Sequence, residues 1–404
     1  MSPRTILFVD ASPAMGGATR VLLEILGALD PRRATPLVVC RPRSAVADAM
    51  AERRIPTTEL DMPVLTFAGG FADHARMVIQ NVKFARDLLG LIRTRRPALV
   101  HASGLASSLL ASLPARLTGI PLVWHAHDML PKKARNELFV RAAGAAARAI
   151  VCVSKASQAR FLEFGVPPGK CQLVYSGVPI PPWRSGIDGR AAGPPMVLAV
   201  GTITRQKGQH VLVEAAPELL RRYPDLEIAI VGEVMYEADR SYLQQLKADV
   251  ERQGLTGQVR FLGFRDDVAS LMERASIVAH PSIAEETLGL VPIEAMAAAL
   301  PVVASRIGGL QEVVEDGVSG ILVEPGSSAS LLEALVSLLD DQGLRASMGS
   351  EGRRIAIERF NDDRMRKDLD QVFASVLGHG VLFHTVAKLQ AADGAFVDRR
   401  SEAP

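Results

Sequence analysis

Short apolar runs alternate with longer amphipathic stretches along most of this chain. The runs, bounded by turn residues, predict buried strands, and the stretches with apolar residues three or four apart predict helices. Predicted strands are residues 5–9, 36–39, 98–101, 121–124, 149–153, 196–200, 226–231, 259–262, 277–279 and 301–304. Predicted helices include residues 18–29, 73–96 and 208–222, the last with a proline inside it. This alternation is the sequence form of parallel α/β sheets.

One stretch interrupts the pattern, because residues 181–195 are rich in Pro and Gly and have no apolar period. A chain of 404 residues is long for a single core. We therefore predict a linker at 181–195 between an N-terminal domain, 1–180, and a C-terminal domain, 196–359. A helix near 360–377 is expected to pack back on the N-terminal domain. Residues 378–404 form a tail to which the sequence assigns no role.

The two series of strands and helices predict two Rossmann-like domains that face each other across a cleft. Ligands of such domains bind at the carboxyl ends of the parallel strands. We therefore expect the functional residues in the loops that follow the strands.

Charge is distributed unevenly, although the net charge is only +2. Residues 1–190 hold 25 Lys and Arg against 13 Asp and Glu, whereas the remainder holds 21 against 31. A basic N-terminal half indicates a positive surface that meets anionic headgroups or a lipid-linked or phosphorylated acceptor. The basic stretches at 76–96 and 132–135 would form that side, but a merely solvated basic surface fits equally well.

Cysteine usage and hydropathy favour a reducing compartment. The three cysteines, Cys40, Cys152 and Cys171, have no metal-binding spacing, and the first and second lie in apolar runs typical of buried thiols. No signal-peptide pattern is seen at the start, and no apolar run reaches transmembrane length. The expected location is the cytoplasm, with at most peripheral membrane contact.

Candidate chemistry centres on two glutamates, Glu286 and Glu294, which have seven residues between them. Pro292 suits only the first turn of a helix, so a helix is predicted to start near Leu290. Its free N–H groups and positive dipole end would point back at the loop that carries Glu286. Backbone amides suit a phosphate and carboxylates suit sugar hydroxyls, so the arrangement fits a sugar phosphate.

A second candidate loop, residues 201–208, follows a predicted strand and opens a helix. It carries Arg205 and Lys207, and cations in such a loop can hold a diphosphate.

Together these segments resemble the donor-binding core of the retaining glycosyltransferases of family 4, which have the GT-B fold. The resemblance covers most of the chain and is densest between residues 197 and 325. It includes five stretches in order, namely residues 201–208, 286–294, 301–305, 308–312 and 316–320. The family implies transfer of a sugar from a nucleotide-sugar donor, most often UDP- or GDP-linked, to a glycan or lipid-linked acceptor, as in polysaccharide biosynthesis.

The resemblance also implies roles for single residues. Glu294 would bind the ribose, Glu286 the transferred sugar, and Lys207 the phosphates. The amides near Leu288, Gly289 and Leu290 would point at the sugar and its phosphate.

Two positions depart from the family pattern. Leu288 replaces a common phenylalanine. Thr202, which follows Gly201, replaces an arginine, and we expect Arg205 to supply the missing charge.

Further candidate donor-site residues follow other strands. The resemblance implies that Gly16 and Gly17 line the cleft beside the donor phosphate. We expect Gly263 and Arg265, at the end of another strand, to lie near the base.

His127, followed by Asp128, resembles the family histidine that reaches the transferred sugar. His125 and His127 make a metal site conceivable, but no further ligand cluster accompanies them, so we expect His125 and His101 to be structural.

The leaving group is a nucleoside diphosphate, and a helix N-terminus with Lys207 can stabilise its charge. We therefore expect no metal and no other cofactor. The resemblance implies retention of the anomeric configuration. Two alternatives stay open: a nucleotide-sugar epimerase on the same fold, and a nucleotide-sugar-binding protein without catalysis.

Overall fold

Strands and helices alternate through the protein as the apolar pattern predicts. The computed structural model describes residues 3–12, 15–63, 71–180, 193–378 and 382–383. The chain divides into two compact units. The first comprises residues 1–153, 157–174 and 363–404, and the second comprises residues 154–156 and 175–362.

The first unit is built on a parallel sheet of seven strands in the order β3-β2-β1-β4-β5-β6-β7. The strands are β1 (Arg4–Asp10), β2 (Ala34–Cys40), β3 (Thr57–Glu59), β4 (Leu99–Ser103), β5 (Leu122–Ala126), β6 (Ala149–Cys152) and β7 (Cys171–Leu173). Every residue of β4, β5 and β6 is buried. Burial on both faces explains why these strands read as continuous apolar runs.

Helices connect these strands and cover the sheet. They are α1 (Gly17–Gly27), α2 (Ala45–Glu52), α3 (Phe71–Arg95), α4 (Gly104–Thr118), α5 (Ala134–Ala146) and α6 (Lys155–Glu163). One core cluster joins Phe84 and Leu88 of α3 to Val9 and Val100 of the sheet.

The second unit is built on a parallel sheet of six strands in the order β10-β9-β8-β11-β12-β13. The strands are β8 (Met196–Val200), β9 (Glu227–Val231), β10 (Val259–Gly263), β11 (Ile277–His280), β12 (Val302–Ser305) and β13 (Gly320–Val323). The remaining helices are α7 (Gln209–Arg222), α8 (Arg240–Arg252), α9 (Val268–Arg274), α10 (Leu290–Ala297), α11 (Leu310–Val313), α12 (Ser328–Asp340), α13 (Gln342–Arg359) and α14 (Asp362–Leu377). Pro217 lies inside α7 without ending that helix.

The fold class predicted from the sequence is confirmed, since each unit is a parallel α/β sheet with crossover helices. Each sheet contains a point where the strand order reverses, between β1 and β4 in the first unit and between β8 and β11 in the second. Ligands of open α/β sheets bind at the carboxyl ends of the strands beside such a point.

Most of the predicted linker, 181–195, lies outside the described residues, as does most of the tail at 378–404. Helix α14 belongs to the first unit, where Phe373 packs edge-on against the ring of His101. It ends at Leu377, directly before Gly378.

The thiols of Cys40 and Cys152 are free and buried, as predicted, and the thiol of Cys171 is free and buried as well. Among the described helices, none is long and apolar enough to cross a membrane.

Candidate functional site

Two loops meet at the reversal point of the second sheet. Lys207 lies in a 3-10 turn that follows β8, and Glu286 lies in the loop that follows β11. Lys207 Nζ donates to Glu286 Oε1 at 2.6 Å, an ion pair between side chains that are 30% and 15% exposed. The strand order therefore brings together two of the residues predicted from the sequence.

Close backbone packing at Gly208 sets this distance. The amide of Ile283 donates to the carbonyl of Gln206 at 2.8 Å, which joins the two loops directly. Gly208 has φ +70°, and a Cβ atom there would lie 1.9 Å from the carbonyl oxygen of Pro281. Only glycine allows this approach, so Gly208 is what lets Lys207 reach Glu286.

A glycine pair packs against the other side of the acidic loop. A Cβ atom at Gly308 would lie 2.5 Å from the carbonyl oxygen of Glu286, and one at Gly309 would lie 2.2 Å from that of Thr287. The amide of Gly309 donates to the carbonyl of Glu286 at 2.9 Å. The backbone that carries Glu286 is therefore held between Gly208 and this pair.

Three donors converge on one oxygen of the Glu286 carboxylate. Besides Lys207, Ser282 Oγ donates to Oε1 at 2.6 Å and His280 Nε2 lies 3.3 Å from it. A carboxylate only accepts, so His280 Nε2 must carry the hydrogen. Burial alone would raise the pKa of Glu286, but the Lys207 ammonium and His280 hold it well below its usual range. Glu286 is therefore a half-buried carboxylate that is ionised near pH 7.

Helix α10 begins at Leu290, as predicted, and points its N-terminal end at this loop. Gly289 precedes the helix with φ +99°, and a Cβ atom there would lie 2.6 Å from Cδ2 of the Leu310 side chain. The side chain of Leu288 is buried, and Glu294 lies half-buried in the second turn of the helix. The backbone N–H groups of a first helical turn have no partner within their helix and suit an anion.

Arg205, the second cation of the loop at residues 201–208, has a different neighbour. Arg205 is exposed, and its guanidinium carbon lies 5.6 Å from the ring centroid of Tyr242. Thr202 is half-buried, and its carbonyl accepts from Gln209 Nε2 at 3.0 Å. Arg205 thus stacks on an aromatic ring, whereas Lys207 pairs with the acidic loop.

The remaining predicted donor-side residues also follow strands of the second sheet. The amide of Gly201 donates to the carbonyl of Val231 at 2.9 Å. Gly263 has φ +67°, and its carbonyl accepts from the amide of Gly232 at 2.8 Å. Arg265 is exposed and forms two hydrogen bonds, of 2.7 and 2.6 Å, with the carboxylate of Asp267. Arg265 thus already has a local partner.

In the first unit three imidazoles form a row: His101 lies within β4, His125 near the end of β5, and His127 just after β5. His101 Nε2 lies 3.2 Å from His125 Nδ1, and the ring centroids of His125 and His127 are 4.1 Å apart. Burial lowers the pKa of His101 to about 3 and that of His127 to about 4, and it also lowers the pKa of His125. All three rings are therefore neutral near pH 7.

The acid next to this row is fixed by backbone. Asp128 Oδ2 accepts from the amide of Leu105 at 2.7 Å, at the start of α4. Gly16 is the N-cap of α1 in extended conformation and Gly17 is its first residue, so both predicted glycines follow β1.

Sequence reasoning missed three polar residues. Ser282 and His280 contact Glu286, and Asp10 ends β1 as a fully buried carboxylate that accepts from the amide of Ser12 at 2.8 Å. The signal for each was its place at or just after a strand end, which no motif spacing marks. Within the described ranges no group of three His, Cys, Asp or Glu could hold a metal ion.

Two family models match the chain over adjoining parts. Residues 15–180 match the model described as Glycosyltransferase Family 4, and residues 186–355 match the model described as Glycosyl transferases group 1.

Curated relatives carry related names. A D-inositol 3-phosphate glycosyltransferase from Streptomyces bingchenggensis is 31% identical over 357 residues, which is 80% of this chain and 78% of the relative. A phosphatidyl-myo-inositol mannosyltransferase from Mycolicibacterium smegmatis is 34% identical over 178 residues, 44% of each chain. The chain spans about half the length of several curated relatives of this kind.

A solved structure shows the same fold. Anabaena HepE in complex with UDP and glucose superposes with a TM-score of 0.79 at 26% identity, covering 92% of this chain and all of that one.

Proposed function

Because this chain belongs to the glycosyltransferases that the group 1 model describes, we propose that it moves a sugar from a nucleotide-sugar donor to an acceptor. We further propose that the anomeric configuration is retained, as the resemblance in the sequence implies. The observation that carries the proposal is the half-buried Lys207–Glu286 pair at the sheet reversal, beside the N-terminal end of α10.

The groups around the Lys207–Glu286 pair match the separate parts of a nucleotide sugar. Lys207 and the first amides of α10 offer positive charge and donors to a diphosphate. Glu286 offers an ionised carboxylate to sugar hydroxyls, and Glu294 offers another to the ribose. The complex of HepE with UDP and glucose supports a donor of this type.

The chemistry then follows from where charge develops. As the glycosidic bond breaks, negative charge grows on the leaving diphosphate, and Lys207 together with the helix N-terminus stabilises it. We propose that this stabilisation needs no metal. The resemblance implies that a leaving phosphate oxygen accepts the acceptor's proton.

The acceptor is proposed to be a glycan, a lipid-linked saccharide or a similar hydroxylated molecule. The names of the relatives, which include an inositol 3-phosphate and a phosphatidyl-myo-inositol, support an acceptor that carries phosphate. The excess of Lys and Arg over Asp and Glu in residues 1–190 gives this half of the chain a positive charge, which would attract a phosphate-bearing acceptor.

An interfacial acceptor is also supported by the surface of α3. Val78, Ile79 and Val82 lie on one face of this helix and are 57%, 69% and 64% exposed. Lys83 and Arg86 follow on the same helix and are also exposed. Exposed apolar residues beside cations suit an anionic membrane surface, so we propose peripheral contact there.

A panel of UDP-, GDP- and ADP-sugars in a thermal unfolding assay tests donor binding, since a ligand of the native state raises its stability. Acceptor-dependent release of free nucleoside diphosphate tests transfer. Turnover of the donor without an acceptor-linked product would favour an epimerase, and binding without turnover on any acceptor would favour a non-catalytic protein.

A further inference from the structure

The carboxylate of Glu286 is held unevenly. Within the described part of the chain, all hydrogen bonds of this carboxylate go to Oε1. It accepts from Lys207 Nζ and from Ser282 Oγ, each at 2.6 Å, and His280 Nε2 lies 3.3 Å from it. Oε2 keeps its lone pairs for other donors. A carboxylate in a sugar site needs this asymmetry, because one oxygen fixes the group while the other accepts from hydroxyls.

The three partners differ in how firmly they are fixed. Ser282 is fully buried and His280 is 4% exposed, and both belong to the end of β11 and the residues just after it. Lys207 reaches the carboxylate from another loop through a long side chain that is 30% exposed. The short, buried side chains of Ser282 and His280 are therefore held in position, whereas the long side chain of Lys207 can reorient its ammonium group.

Donor binding gives Lys207 a competing partner. A diphosphate carries more negative charge than one carboxylate, so it attracts the same ammonium strongly. If Lys207 turned toward the phosphates, its ion pair with Glu286 would weaken. A carboxylate that is 15% exposed would then lose its main counter-charge just when it must hold the sugar.

We propose that Ser282 and His280 are positioning residues that hold Glu286 ionised and oriented when Lys207 engages the diphosphate of the donor. This proposal rests on the proposed function, since it assigns Lys207 and Glu286 to the two ends of a nucleotide sugar. Neither residue contacts the donor, and both act through Oε1 of Glu286.

The first test separates catalysis from diphosphate binding. Ser282→Ala is expected to lower kcat with a donor sugar about tenfold or more, while calorimetry gives an unchanged Kd for the free nucleoside diphosphate. Ser282→Thr, which keeps the hydroxyl, should recover most of the rate. Ser319→Ala is the matched control, because Ser319 is another fully buried serine of the same unit. Equal kcat in Ser282→Ala and Ser319→Ala would overturn the proposal.

A second test needs no activity and so stands apart from the proposed function. In Lys207→Met the remaining donors to Glu286 are Ser282 and His280, which we expect to keep its carboxyl ionised. Adding Ser282→Ala or His280→Phe should raise the pKa of Glu286 by about one unit or more, read from its carboxyl ¹³C shift. An unchanged pKa in both double variants contradicts the proposal. Failure of the wild type to turn over any donor would count against the proposed function alone.

Discussion

Lys207 and Glu286 are 79 positions apart in the chain, yet their charged groups lie 2.6 Å from each other. The parallel sheet explains this, because β8 and β11 are neighbours and both carboxyl ends open at the same edge. Gly208 then removes the side chain that would keep the two loops apart. The pair is thus a product of strand order and one glycine, and it supplies the cation and the anion that the proposed donor requires.

Removing the lysine should make stability less sensitive to acid. The pKa of Glu286 is lowered in the folded protein, so its contribution to stability is full above the unfolded value of about 4.5 and is lost as the pH falls below it. Lys207→Met should therefore lose most stability near pH 7, and its difference from the wild type should narrow as the pH falls below about 4.5. Urea unfolding at several pH values measures this. A stability difference that does not change with pH would contradict it.

Gly208→Ala should destabilise the second unit and weaken donor binding, because the new Cβ atom meets the Pro281 carbonyl oxygen and pushes the two loops apart. Gly254→Ala is the matched control, since Gly254 has φ +69° and no atom within 4 Å of the added Cβ. The control should lose only about 1–2 kcal/mol from the left-handed backbone. Thermal unfolding measures both variants, and equal losses would show that close packing at Gly208 is unimportant.

The three imidazoles of the first unit, His101, His125 and His127, should make the stability of the protein fall in mild acid. Their pKa values are lowered in the folded state, so the unfolded chain takes up protons first as the pH falls below about 6.5. Stability should fall from pH 6.5 downward, by up to about 2 kcal/mol per imidazole at pH 5. His101→Phe removes one titrating group beside Phe8 and Phe373. Its unfolding free energy should depend less steeply on pH than that of the wild type.

The exposed apolar face of α3 should mediate membrane contact. Val78→Asp with Ile79→Asp should lower binding to vesicles that contain anionic lipid, and raised salt should lower binding of the wild type as well. Leu113→Asp on α4 is the control, since Leu113 is similarly exposed, at 57%, on another helix. Co-sedimentation measures the bound fraction. If the control lost as much binding as the double variant, contact would not be localised to α3.

The apolar pattern predicted both sheets because strands buried on two faces are continuous apolar runs. It missed β3, β7 and β13, which are short or edge strands; Thr57–Glu59 has no buried residue at all. The helix start at Leu290 followed from Pro292, whose chemistry is local.

Contacts that depend on the tertiary structure could not be predicted from the apolar pattern or from motif spacing. Ser282 and His280 have no distinguishing sequence neighbourhood, and they meet Glu286 only because the loop after β11 turns back on itself. The row from His101 to His125 likewise depends on the register of β4 against β5.

Calorimetric titration of a free nucleoside diphosphate into the wild type, Lys207→Met and Glu286→Gln shows which of the two side chains binds the diphosphate. If Lys207 binds the diphosphate and Glu286 binds the sugar, Lys207→Met should weaken binding of the nucleoside diphosphate at least tenfold, which is about 1.4 kcal/mol. Glu286→Gln should bind the diphosphate about as well as the wild type and lose only the added affinity for the intact nucleotide sugar. Equal diphosphate affinity in the wild type and Lys207→Met would contradict the account.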